Sequence, residues 1–140
     1  MKIFIICSKA FYGKIPLVKS ELESLGHQTV LPNSYDNPKA ELEAHSLGHE
    51  AHVDFKKRMF KRSRNVTKGV DAVLVLNFEK NGQANYIGGA TFLEVYDAFC
   101  LDKKIYLWND IPEGILYDEI HGFDPIIING DLSKVGYDSV

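Results

Sequence analysis

The sequence predicts one open α/β domain, a parallel five-stranded sheet with helices on both faces. Three observations carry that prediction. Short runs that are apolar on both faces alternate with helix-prone segments from one end of the chain to the other, the pattern of parallel strands covered on both sides. The 140 residues show no internal repeat or linker and are enough for one domain with a sizeable core. The strands close in polar residues (Ser8 and Lys9, Asn33, Asn77, and Asn109 with Asp110), at the carboxyl edge where such sheets collect ligands.

Each element follows from local signals. Residues 2–7, Lys-Ile-Phe-Ile-Ile-Cys, read as a central strand. Residues 8–14 read as a loop. A helix over residues 16–25 follows, with Leu17, Val18, Leu22 and Leu25 as its expected buried stripe; Pro16 suits a first helical position and Gly26 a stop. A short strand over residues 28–31 ends at Pro32-Asn33, and residues 34–37 form a turn. Residues 38–68 are polar and helix-prone, predicting one or two helices with a break near Gly48. Strand 72–77, helix 89–101 and strand 104–108 form the most informative unit, with a glycine-rich loop ahead of the helix. A short helix over 114–120, a strand over 125–128 and a turn or tail in the last ten residues complete the expectation.

Composition narrows the function classes. Hydrophobic residues make up 45% and charged residues 25% of the chain, ordinary for a soluble globular protein. A formal net charge of −3 gives no expectation of a nucleic-acid or acidic-membrane partner. No run reaches transmembrane length, and Met1-Lys2 leads straight into a strand rather than an export signal, so the cytosol is the expected compartment. Cys7 and Cys100 lie far apart in apolar elements and read as buried reduced thiols.

Glu94 is the foremost candidate for chemistry. Near a helix start its charge is favoured by the helix dipole. Its neighbours Phe92, Leu93, Val95 and Tyr96 desolvate it, which pushes its pKa up. A nucleophilic carboxylate needs that setting. Thr91-Phe92-Leu93-Glu94 also fits a capping box, in which the glutamate only folds back on its own helix. Both readings stand on local sequence.

Other features carry less. Gly88-Gly89-Ala90 before a helix lets backbone amides approach a phosphate or sugar, without matching a nucleotide-loop fingerprint. His45 and His49 share a helical face, but His52 falls one residue early for a metalloprotease motif, so the segment reads as solvated or lid-forming and no metal or cofactor is expected. Seven cations between Lys56 and Lys68 flank Phe55, Met59, Phe60 and Val66, an amphipathic helix with a charged outer face from which Arg58 or Arg62 could reach a ligand phosphate. Phe11, Tyr12, Tyr86 and Trp108 are aromatics near loops, and Tyr86 lies in the glycine-rich loop itself.

These residues give the chain its resemblance to the nucleoside 2-deoxyribosyltransferase superfamily, which includes nucleotide N-glycosidases. The shared pattern is Asp71-Ala72-Val73-Leu74-Val75-Leu76, then Gly88-Gly89-Ala90-Thr91-Phe92-Leu93-Glu94, Ala98 four residues later, and the lysine-led strand at Lys103-Lys104-Ile105. The start Ile3 to Ser8 and the strand ending Val30-Leu31-Pro32 also fit, so compatible order covers about residues 1–110. The resemblance implies that Glu94 attacks the anomeric carbon of a (deoxy)ribosyl group, the base leaves, and water or a second base resolves the ester. It further implies a phosphate or 5′ end near Ser8 and the Gly88-Gly89-Ala90 loop, with Tyr86 and Trp108 at the base or sugar rim. Lys9, Asn77 and Asn109, polar residues at strand ends, are read as further substrate contacts. A homo-oligomer is implied too. The pattern departs where the family carries glycine two residues before or after the glutamate; Phe92 and Tyr96 stand there, and Phe92 is expected to crowd a sugar.

The rival readings are a nucleotide or nucleotide-sugar sensor using the same pocket, with Glu94 as a cap, and a flavodoxin-like carrier suggested by the Rossmann-like order of elements alone.

Overall fold

A computed structural model describes residues 1–136; residues 137–140, which include part of the expected tail, lie outside the described residues. The sheet is parallel throughout, in the order β2-β1-β3-β4-β5, with β1 at Lys2–Ile6, β2 at Gln28–Val30, β3 at Ala72–Val75, β4 at Lys104–Leu107 and β5 at Ile126–Ile127. The helices are α1 at Ile15–Ser24, α2 at Ala40–Ser46, α3 at His49–Lys68, α4 at Gly89–Cys100 and α5 at Tyr117–Gly122. The chain runs from β1 outward to β2, then crosses back to place β3 on the other side of β1. That reversal opens a crevice at the carboxyl ends of β1 and β3.

Strand alternation divides the core in two. Ile3 and Ile5 of β1 join Ile15, Val18, Leu22, Leu74 and Tyr106 on one face, beneath α1. Phe4 and Ile6 join Val73, Val75, Val95, Ala98 and Leu107 on the other, beneath α4. All of these are buried, which is why the strands read as unbroken apolar runs.

The differences from expectation have local causes. The stripe of α1 is Ile15, Val18 and Leu22 at i, i+3, i+7, while Leu17 and Leu25 are 79% and 48% exposed. Leu17 is turned off the stripe by 100° per residue, and Leu25 caps the helix end. Cys7 is buried as expected, but Cys100 is exposed at the last residue of α4. Residues 8–14 are not an open loop: Lys9–Lys14 form a 3-10 turn, capped where Ser8 Oγ accepts from the Ala10 amide at 3.4 Å. The short helix starts three residues later than expected because Gly114, at φ +117°, cannot open it. The break near Gly48 is real, and Gly48 takes φ +112° between α2 and α3.

Beyond β3 and β4 the chain is clasped by two asparagines. Asn77, fully buried, donates through Nδ2 to the carbonyls of Asn109 and Asp110 at 3.0 Å each, and its Oδ1 accepts from the Asn109 amide at 2.8 Å. Asn109 Nδ2 returns a bond to the Asn77 carbonyl at 3.0 Å. Truncating Asn77 strands buried polar partners, each costly to leave unpaired. Asn77→Ala is expected to lose about 2–4 kcal/mol in urea unfolding.

Candidate active site

The crevice holds a cavity of about 380 Å³, within the size range of small-molecule sites. Cys7, Ser8, Lys9 and Tyr12 line it from the end of β1, and Asn33 and Ser34 from beyond β2. Lys56, Met59 and Ser63 of α3 form the opposite wall, Glu41 of α2 and Lys80 stand at its rim, and Gly88, Gly89, Ala90 and Glu94 close its floor.

Glu94 is not a cap. The N-cap of α4 is Gly88, in extended geometry with no side-chain capping bond, and Glu94 lies well past the first turn, beyond the position from which a capping-box glutamate reaches back. Its Oε2 instead accepts from Ser63 Oγ at 2.9 Å. Ser63 is itself oriented: Asn33 Nδ2 donates to Ser63 Oγ at 2.7 Å and to the Met59 carbonyl at 3.3 Å. Because Asn33 donates to that oxygen, the hydroxyl proton of Ser63 is left to point at Glu94. Thr67 Oγ1 donates to the Ser63 carbonyl at 2.7 Å, steadying this turn of α3.

Electrostatics single out the same carboxyl. Burial pushes Glu94 up to about 7; the Ser63 bond and Lys56 pull it down, while the charge of Asp97 adds to the rise. Asp97 is tied to α3 by a two-pronged bond from Arg64, at 3.1 and 2.9 Å to one oxygen. Cys7 is pushed up to about 12, by burial first and then by the charge of Glu94. Tyr12 is raised by burial first, then by Cys7 and Glu94. Near neutral pH, thiol and phenol are therefore neutral donors around a carboxyl poised to ionise.

Glycine matters at Gly88 because a Cβ there would come within 3.3 Å of the Tyr86 hydroxyl. At Gly89 a Cβ meets nothing within 4 Å, so its backbone faces open space at the start of the helix.

Of the residues singled out from sequence, Glu94, Ser8, Lys9, Gly88 and Gly89 meet in one cavity. Tyr86 lies just behind it, under Gly88 and with Lys80 Nζ 4.6 Å from its ring centroid. Trp108 packs on Phe78 at 5.5 Å, and Asn77 with Asn109 forms the clasp, so these three lie apart from the lining. Phe92, expected to crowd a sugar, turns toward Phe123 at 6.0 Å, as does Tyr96 at 6.1 Å. The basic helix reaches the cavity through Lys56, whereas Arg58 lies over Phe55. Among the described residues no group of three or more His, Cys, Asp or Glu is placed to hold a metal.

Ser63, Lys56 and Glu41 are the residues sequence reasoning passed over, whereas Asn33, singled out as a polar strand end, does line the cavity. A signal existed for Ser63: Phe55, Met59, Ser63 and Thr67 recur every fourth residue, an inward stripe that turns polar where it meets the cavity.

No family model matches the chain, and no curated protein does. No helix among the described residues is long and apolar enough to cross a membrane. Among solved structures the chain is similar to the CMP N-glycosidase BcmB of Clostridium botulinum, at 13% sequence identity and a TM-score of 0.51, over 91% of this chain and 85% of that one. The likeness shows a shared α/β fold.

Proposed function

We propose that this protein cleaves the N-glycosidic bond of a nucleoside or nucleoside 5′-monophosphate, with Glu94 as nucleophile. The observation that carries the reading is the carboxyl itself: desolvated, with one oxygen held by an oriented serine, and facing a cavity at the sheet's switch point. The fold it shares with a CMP N-glycosidase supports the same reading. A carboxylate suits attack on an anomeric carbon, whose transition state is cationic. The C1′–N bond breaks as the Glu94 oxygen bonds to C1′, and the base leaves with the bonding electrons and takes up a proton. Water then attacks C1′, releasing the sugar and restoring the carboxylate; a second base in place of water gives transfer.

Ser63 positions the carboxylate, and the amides at Gly88 and Gly89 with Lys9 and Ser8 accommodate the sugar's 5′ end. Base release, followed by chromatography over a panel of nucleosides and their 5′-monophosphates, tests the reading. Dependence on an acceptor base separates transfer from hydrolysis. Binding without release across the panel would leave a sensor.

The reading extends to a homo-oligomer. Leu93 and Tyr96 of α4 and Phe60 of α3 are each more than 40% exposed and line one groove, an apolar surface of the kind that docks partners. Phe60 lines both the cavity and the neighbouring groove between α3 and α4, so a second copy docked there abuts the site. Sedimentation is expected to show a species heavier than the monomer. Leu93→Lys with Tyr96→Lys is expected to weaken its association by about a hundredfold or more.

A further inference from the structure

A carboxylate already stands where a ligand's negative charge would go. Glu41 lines the cavity with Oε1 3.9 Å from Lys9 Nζ, and with Oε2 3.6 Å from Lys56 Nζ and 3.0 Å from His52 Nε2. The His52 hydrogen bond first, then the charges of Lys56 and Lys9, hold its carboxyl below the usual range. The two lysines come from opposite walls, Lys9 from the turn after β1 and Lys56 from α3. Their shared counter-ion comes from a third element. Every residue of α2 is half-buried or exposed, and α2 joins α3 through Gly48 at φ +112°. The ring of His45 meets that of His52 at 4.9 Å. Polar and edge contacts, rather than a buried apolar stripe, therefore hold α2 against the cavity.

We propose that Glu41 is an internal counter-ion that sets the charge specificity of the cavity. While it bridges Lys9 and Lys56, neutral sugars and nucleosides are favoured, and a phosphorylated ligand enters only by displacing it. This deepens the N-glycosidic reading and rests on it for the nucleoside part. A phosphate beside a fixed carboxylate meets like-charge repulsion and finds both lysines already engaged. A neutral 5′-hydroxyl meets the same carboxylate as a hydrogen-bond acceptor.

The test is equilibrium binding of ribose 5-phosphate and of ribose, read from the backbone amide NMR signals of Gly88 and Gly89. Glu41→Gln is expected to tighten ribose 5-phosphate about tenfold, since the Coulomb energy of even a screened charge pair at this separation is of that order. Ribose affinity stays within about twofold, a neutral ligand having no net charge to repel. Glu43→Gln, at an exposed site on the same helix, removes the same charge without touching the lysines and is expected to leave both affinities unchanged. Adding Lys56→Met to Glu41→Gln should cancel the gain. Unchanged or weakened ribose 5-phosphate binding in Glu41→Gln, or no binding at all, overturns the proposal. These measurements need no turnover, so they separate from the nucleophile reading: base release with an unaltered charge preference sinks this inference alone.

Discussion

Glu94→Gln is expected to lower base release by about 10³-fold or more while leaving the fold and ligand binding in place. The amide keeps the shape of the carboxyl but cannot form the glycosyl ester. The same substitution carries a stability signature that a bystander residue would lack. In the folded protein burial holds Glu94 near 7, above the ordinary carboxyl value it regains on unfolding. A raised folded pKa means that the native state holds the proton more tightly. Its stabilising contribution is complete below the unfolded value and is lost as pH rises through about 7. Above that pH the wild type carries a poorly solvated charge that glutamine does not. Thermal unfolding at pH 8 should therefore place Glu94→Gln a few degrees above wild type, with the gap closing toward pH 5. Full base release by the variant would end the nucleophile assignment. Lost activity with a Tm below wild type at pH 8 would mean only that the site had been damaged.

The fold was legible because parallel strands buried on both faces must be apolar wherever they are covered, as β3 is throughout and β1 is from Ile3 to Ile6. The unit from β3 through α4 to β4 was legible for a further reason: its glycines and the carboxyl that faces the cavity lie close together in sequence. The opposite wall was not. Ser63 sits 31 residues before Glu94, inside a cationic run whose outward charges dominate any local reading. Only the crossover that lays α3 beside α4 makes it a partner. Asn33 is farther still, joined to Ser63 across 30 residues. Asn77 shows the opposite case, since a polar residue at a strand end suggests ligand contact, yet its hydrogen bonds go to the neighbouring chain segment. A sequence shows which groups are polar but not which of them meet one another. Glu41 belongs here too, because α2 carries no apolar stripe to announce which side faces the domain.

The second large effect is on pH dependence, and it separates positioning from packing at Ser63. In the proposed mechanism attack requires the ionised carboxyl, so kcat/KM should follow the ionised fraction of Glu94 in the unliganded protein. With the group near 7, the rate should level off above about pH 8 and fall roughly tenfold per unit in the acid limb, since each pH unit there removes nine-tenths of the carboxylate. The Ser63 bond favours the charged form, so Ser63→Ala should move the midpoint upward and lower the rate at pH 7 by about tenfold or more. Ser63→Thr keeps a hydroxyl in the same place and should restore most of both. Asn33→Ala leaves the hydroxyl present but free to rotate, and a smaller upward shift is expected. A merely structural serine would lower activity at every pH without moving the midpoint, and threonine in this tightly packed wall would then do no better than alanine. On the proposed reading Asn33 and Ser63 govern when the carboxylate is ionised and which way it faces, while Glu94 makes the attack.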